Sequence, residues 1–149
     1  MLYSVRPKTP RKAAATAIAT AAVTLLAACG GGSDDASDAD EIVIGFATSE
    51  SGNMAPFDVE PTQAAMLRID QINADGGVDG KTIRTVTRDV RSSPETVGTA
   101  ATELIGEGID LLVTPCDFDL SAPGASVAQS AEVPAISICA GDPKLADLT

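Results

Sequence analysis

From residue 41 onward, short β-branched apolar runs alternate with longer segments in which apolar positions recur every three or four residues. The first pattern predicts buried strands and the second amphipathic helices. Glu41–Ala47 (EIVIGFA) opens the series as a strand. Pro61, with Glu60 beside it, suits the first turn of a helix. Ala65, Ile69 and Ile72 then fall at i, i+4 and i+7, one apolar stripe. Asn73-Ala74-Asp75-Gly76-Gly77 stops that helix, and Val78-Asp79-Gly80 turns the chain. Lys81–Asp89 alternates apolar and polar residues, as a strand near a sheet edge does. Ser93-Pro94-Glu95 supplies a cap, a first-turn proline and a first-turn acid. Val97, Ala100, Ala101, Leu104 and Ile105 continue that helix, and Gly108 ends it. Asp110–Thr114 is a third strand. Ser121–Glu132 reads as a helix confined to the residues after Pro123-Gly124. Pro134–Ile138 is a fourth strand, and Pro143-Lys144-Leu145 starts a further helix.

The order β-α-β-α-β-α-β implies an α/β fold, a doubly wound parallel sheet with right-handed crossovers. The central strands are continuous apolar runs, as strands covered on both faces need to be. In such sheets ligands bind beyond the carboxyl ends of the strands. Those ends are Thr48–Asn53, Asp89–Ser92, Pro115–Ser121 and Cys139–Asp142.

The first forty residues follow a different pattern. Arg6, Lys8, Arg11 and Lys12 make a basic start, and residues 13–28 (AAATAIATAAVTLLAA) are wholly apolar or small. That run is too short to span a membrane, which takes about 20 residues, but suits the apolar core of an export signal. Leu26-Ala27-Ala28-Cys29 resembles a bacterial lipobox. In signals of that kind the cysteine is acylated on sulfur and the chain is cut just before it. The alternative is an Ala-rich helix that happens to end in cysteine. The organisation expected is a signal peptide over 1–28, lipidated Cys29 with a flexible Gly/Ser/Asp tether to residue 40, and an α/β lobe over 41–149. Removing 28 of the 149 residues, with four of the ten cations and none of the 21 acids, leaves 121 residues of formal charge −15. The expected location is outside the cytoplasmic membrane, lipid-anchored.

Composition narrows the chemistry. The acidic balance, −11 for the whole chain, argues against a nucleic-acid partner. There is no histidine, so a Ser/His/Asp set is excluded and zinc is disfavoured. No Walker glycine–lysine loop is present. Asp117 and Asp119 could serve as an acid and base pair, but successive exposed acids more often face water. No enzyme activity and no cofactor are expected.

The body resembles the substrate-binding lipoproteins of ABC importers, in the branched-chain amino-acid-binding (type 1 periplasmic binding) family. The residues that carry the resemblance are EIVIGFATSESG, AAMLRIDQINADGGVDGKTI, SSPETVGTAATELI with GEGIDLLVTP, and VPAISICAGDPKL, in that order. The resemblance implies a two-lobed protein that closes on a small polar solute and works with ABC permease subunits. It also implies that this chain holds only the first half of lobe one. The loops it places at the solute contain Ser49, Glu50 and Ser51; Asp117, Phe118, Asp119 and Ser121; and Ala140, Gly141 and Asp142. Phe118 stands near where the family has a serine, and Gly141 where a threonine is common. With Glu50, Asp117, Asp119 and Asp142 on one rim and no Lys or Arg in those loops, a neutral or cationic group is favoured over a simple anion.

Other readings remain beside this one. Ser49–Asn53 is loosely similar to a flavodoxin phosphate loop, but Glu50 would repel a phosphate and the chain after residue 28 has no Tyr or Trp to stack on a flavin. The same fold also serves as the ligand-sensing ectodomain of signalling receptors, and an inert fragment is a third reading. With Cys29 taken by lipid, Cys116 and Cys139 sit just past the ends of strands that should be neighbours. Strand spacing permits a disulfide between them, and export removes the redox objection. The alternative is two reduced, buried thiols.

Overall fold

The computed structural model describes residues 41–148. The expected signal peptide, Cys29 and the tether lie outside those residues. Four strands, β1 (Glu41–Thr48), β2 (Thr82–Asp89), β3 (Leu111–Thr114) and β4 (Ala135–Ser137), alternate with three helices. These are α1 (Ala55–Ala74), α2 (Pro94–Gly106) and α3 (Phe118–Ser130), and a 3₁₀ turn at Pro143–Leu148 follows β4. All strand pairs are parallel and the sheet order is β2-β1-β3-β4.

The period-2 alternation of β1 and β3 sorts their side chains between two layers. Val43, Ala47 and Leu112 pack with Val97, Ala101, Leu104 and Ala128 under α2 and α3. Phe46 and Val113 pack with Ile69 under α1. Helices therefore cover both faces, as the doubly wound reading requires. Gly124 lets α3 approach α2, because a Cβ there would sit 2.9 Å from Val97 Cγ1. On the α1 face, a groove of about 380 Å³ runs past Phe46, Ile69, Val113 and Ile136, and Ile136 is 55% exposed.

Two helices start earlier than the sequence pattern predicts. α1 begins at Ala55, so Pro56 takes the first-turn role and Pro61 lies inside the helix. α3 begins at Phe118, not after Gly124, and Pro123 is interior. In α3 the cap decides the start: the Asp117 carboxylate accepts from Leu120 N at 3.2 Å. An interior proline loses one helical bond, which the buried stripe of each helix outweighs. α2 starts as expected, with Ser93 Oγ accepting from Thr96 N at 3.4 Å.

The Asn-Ala-Asp-Gly-Gly turn fixes how α1 enters β2. The Asn73 amide donates to Ile83 O at 2.8 Å and accepts from Ile83 N at 2.7 Å, so it acts as a short stand-in strand on the outer edge of β2. Gly77 has φ +78°, and a Cβ there would lie 1.9 Å from Lys81 O. Gly77→Ala is therefore expected to destabilise the chain by at least about 2 kcal/mol, read as a lower urea midpoint at unchanged slope.

Candidate functional site

Parallel pairing brings the carboxyl ends of all four strands to one rim. After β1 the chain crosses to one face through α1, and after β3 to the other through α3. The crevice between β1 and β3 is therefore the switch point, where open α/β sheets bind ligands.

One carboxylate spans that crevice. Asp58, on α1, is fully buried; Oδ2 accepts from Ser49 N at 2.8 Å and Oδ1 from Cys116 N at 2.8 Å. The loops after β1 and β3 are thus tied to the same side chain. Sequence reading missed Asp58, although a signal was present: Asp58, Thr62, Ala65 and Ile69 fall at i, i+4, i+7 and i+11, so an acid sits on the buried stripe.

The far side of the first loop is held by the end of β2. Asp89 Oδ1 accepts from the N–H groups of Glu50 (3.0 Å), Ser51 (3.2 Å) and Arg91 (2.9 Å), and Oδ2 from Ser51 Oγ (2.7 Å). Ser92 Oγ donates to Ser51 O and accepts from Met54 N, both at 3.0 Å. Arg91 and Ser92 take positive φ of 51° and 56° to present these groups. Burial works to raise the Asp89 carboxyl pKa, but the Ser51 hydroxyl and the N–H groups of Arg91, Glu50 and Ser51 outweigh it and hold it below the ordinary 3.8. A depressed carboxylate adds stability above its unfolded pKa, and that contribution is lost as pH falls through the lower folded value. Amide exchange at Glu50 and Ser51 is thus expected to rise, relative to other loops, as pH drops below about 4. Asp89→Asn is expected to remove that pH dependence.

The third and fourth loops are joined to each other. A disulfide links Cys116 to Cys139 with Cα atoms 4.4 Å apart, in agreement with the expected pairing. Ser121 is fully buried, and its hydroxyl donates to Pro115 O at 2.7 Å. Ser137 also donates to Pro115 O, and its Oγ accepts from Ala140 N at 3.0 Å. Ser137 was not singled out by its sequence, where it reads only as one strand residue.

The residues with predicted solute roles thus separate into two groups. Ser51, Ser121 and Asp117 are engaged in holding loops and a helix start. Glu50, Asp119 and Gly141 are exposed on the rim, and Phe118, Ala140 and Asp142 are half-buried there. Asp142 Oδ1 accepts from Lys144 N at 2.9 Å. Ser49 is fully buried. Phe57, in the first turn of α1, adds an apolar surface on the same rim, 57% exposed.

The periplasmic binding protein family matches residues 41–148, the whole of the described lobe. The chain belongs to the periplasmic binding protein family. Among the solved periplasmic binding proteins it resembles LivJ from Streptococcus pneumoniae, a branched-chain amino acid transporter substrate-binding protein in complex with isoleucine. The two are 33% identical with a TM-score of 0.69, over 72% of this chain and 31% of LivJ. A periplasmic binding protein from Burkholderia mallei is 32% identical with a TM-score of 0.61, over 72% of this chain and 28% of that one. A solute-binding protein of an ABC transporter from Rhodopseudomonas palustris, in complex with 3,4-dihydroxybenzoic acid, is 20% identical with a TM-score of 0.64, over 74% and 30% of the two chains. That last likeness is one of fold. The chain spans about a third of the length of these solved proteins. No curated protein matches it. The four strand-end loops described above all lie within the residues that the family matches.

Proposed function

We propose that this chain is the solute-binding part of an ABC uptake system and that its solute is an amino acid or a similar small polar molecule. The observation that carries the proposal is the family match over residues 41–148, which contain all four rim loops. The rim chemistry agrees with a solute that carries a positive group: the N-terminus of α3 opens on the rim already capped by the Asp117 carboxylate. Glu50, Asp119 and Asp142 on the same rim favour an ammonium group. The neighbour LivJ is solved with isoleucine, an amino acid of that kind.

Residues 1–28 would direct export, Cys29 would carry the lipid, and residues 30–40 would tether the lobe beside the ABC permease subunits. Mass analysis of the chain from its host is expected to show a mature start at acylated Cys29. Cys29→Ala is expected to release the protein or to leave the precursor uncut; an unlipidated, full-length wild-type chain would overturn the anchor.

Thermal melting of the exported chain against amino acids, dicarboxylates and phosphate tests the binding role. A ligand at 100 times its Kd adds about 2.7 kcal/mol of stability, an easily read shift. Amino acids are expected to raise the melting temperature. Stabilisation by dicarboxylates or phosphate instead, or by none of the three classes, overturns the proposal.

A further inference from the structure

The Cys116–Cys139 disulfide joins the loops after β3 and β4, and its two ends are held unequally. Cys116 is half-buried and Cys139 is exposed. The β3 end is fixed independently of the disulfide. Cys116 N donates to Asp58 Oδ1 at 2.8 Å, and Pro115 O accepts from Ser121 Oγ at 2.7 Å. The β4 end is fixed much less. Within Cys139–Asp142, among the described residues, one backbone group bonds back to the sheet: Ala140 N, to Ser137 Oγ at 3.0 Å. Ser137 is the last residue of β4, so that bond fastens the loop only to its own strand. The disulfide is what carries the loop across to β3.

Disulfides exchange by attack of a thiolate on one sulfur, through a mixed disulfide, and access decides which sulfur is attacked. Exposure selects Cys139. Asp117 follows Cys116 directly, and Asp142 lies three residues past Cys139. These acids repel a strongly anionic carrier and favour one that is uncharged or basic around its thiols.

We propose that Cys139 is a thiol-exchange site on the folded lobe, used by a dithiol reductant of that kind, and that reduction frees the β4 loop while the β3 loop stays in place. A donor thiolate attacks Cys139 Sγ. The Sγ–Sγ bond breaks, and Cys116 leaves as a thiolate that takes a proton from solvent. The donor's second thiolate then attacks the donor's own sulfur in the mixed disulfide and releases Cys139, which is protonated in turn. The protein gains two electrons and two protons, and the donor leaves as a disulfide. The effect on solute rests on the binding role proposed above. Ala140, Gly141 and Asp142 must be ordered again when a solute binds the reduced lobe, so it binds more weakly.

Three measurements on the full chain, purified after export, test this. The first is exposure to 2-mercaptoethanol, an uncharged monothiol, followed by acid quenching, alkylation and peptide mass mapping. The mercaptoethanol adduct is expected on Cys139 and the alkyl group on Cys116. The reverse placement, or reaction only once the lobe is unfolded in urea, overturns the site. The second is amide relaxation after full reduction with dithiothreitol. Order parameters at Ala140 and Gly141 are expected to fall below about 0.6, while Ser49 and Cys116, both held by Asp58, stay near about 0.85. No change at Ala140 and Gly141, or an equal fall at all four, overturns the selective release. The third is calorimetric titration with isoleucine, asparagine and lysine in turn. Whichever binds is expected to bind about tenfold more weakly to the reduced chain, the cost of ordering about one residue of backbone, and to recover on reoxidation. The double variant Cys116→Ser with Cys139→Ser is expected to bind as the reduced chain does and to ignore dithiothreitol. Equal affinity in both redox states overturns the control of binding and leaves the binding role standing. Stabilisation of the oxidised chain by none of the amino acids removes the binding role and that control together, while the exchange site still stands or falls on the first two measurements.

Discussion

Replacing Asp58 with leucine is expected to lower the stability of the chain by about 3 kcal/mol and to loosen two loops together. The carboxylate is fully buried and accepts from Ser49 N and Cys116 N at 2.8 Å each. Each bond runs from a backbone N–H to one of the two carboxyl oxygens. Leucine has nearly the same shape but leaves the buried Ser49 N–H and the part-buried Cys116 N–H unpaired, at about 1–3 kcal/mol each. The apolar surface gained offsets part of that, about 1–2 kcal/mol. Asparagine keeps one accepting oxygen and turns an NH₂ toward the other donor, so Asp58→Asn is expected to cost about half as much. Urea unfolding gives the magnitude, and amide exchange gives the location. Ser49 and Cys116 are expected to lose protection together, because one side chain holds both. A loss of less than about 0.5 kcal/mol, the range of an ordinary surface change, would show that other groups hold the crevice.

The strands were legible because parallel strands buried on both faces leave short apolar runs without charges, as in Ile42–Phe46 and Leu111–Val113. Their parallel pairing followed from the helices between them. The start of α2 was legible because Ser93, Pro94 and Glu95 act locally, within one turn. Two other helix starts were misread for the opposite reason. Pro61 and Pro123 signal breaks locally, but tertiary packing of Ile69 and of Gly124 against Val97 carries the helices through them. The site was legible as a set of loops and not as a set of contacts. Which loop hydroxyls face solvent depends on partners far away in sequence: Ser51 on Asp89, 38 residues on, and Ser137 on Pro115, 22 residues back. No local pattern encodes those separations. Asp58 could have been found, because an acid on a buried stripe needs an explanation, and here the explanation is the crevice itself.

Breaking the Cys116–Cys139 disulfide is expected to destabilise the lobe by about 3 kcal/mol. The bond closes a loop across a sequence separation of 23 residues, and that length sets the entropy it removes from the unfolded chain. β4 depends on it more than the other strands do. It has three residues, pairs only with β3 among the described residues, and its Ile136 is 55% exposed. Little apolar burial holds its end in place, so the covalent link to the β3 loop does much of that work. Cys139 is exposed, so a reductant in solution reaches the bond without prior unfolding. In a lobe of this size, 3 kcal/mol corresponds to a melting temperature lower by roughly 10–20 °C. Melting the exported chain with and without dithiothreitol measures it. The double variant Cys116→Ser with Cys139→Ser is expected to melt where the reduced wild type does and to ignore the reductant. The first amides to lose protection are expected to be those of Ala140 and Ile138, at the carboxyl end of β4. Ile138 N donates to Thr114 O at 3.1 Å and so reports directly on the seam between β3 and β4, while Ala140 N donates at 3.0 Å to the Ser137 hydroxyl that itself bonds Pro115 O across it. An unchanged melting temperature after complete reduction, confirmed by alkylation of both thiols, would show that the Pro115–Ser121–Ser137 hydrogen bonds hold that seam without it.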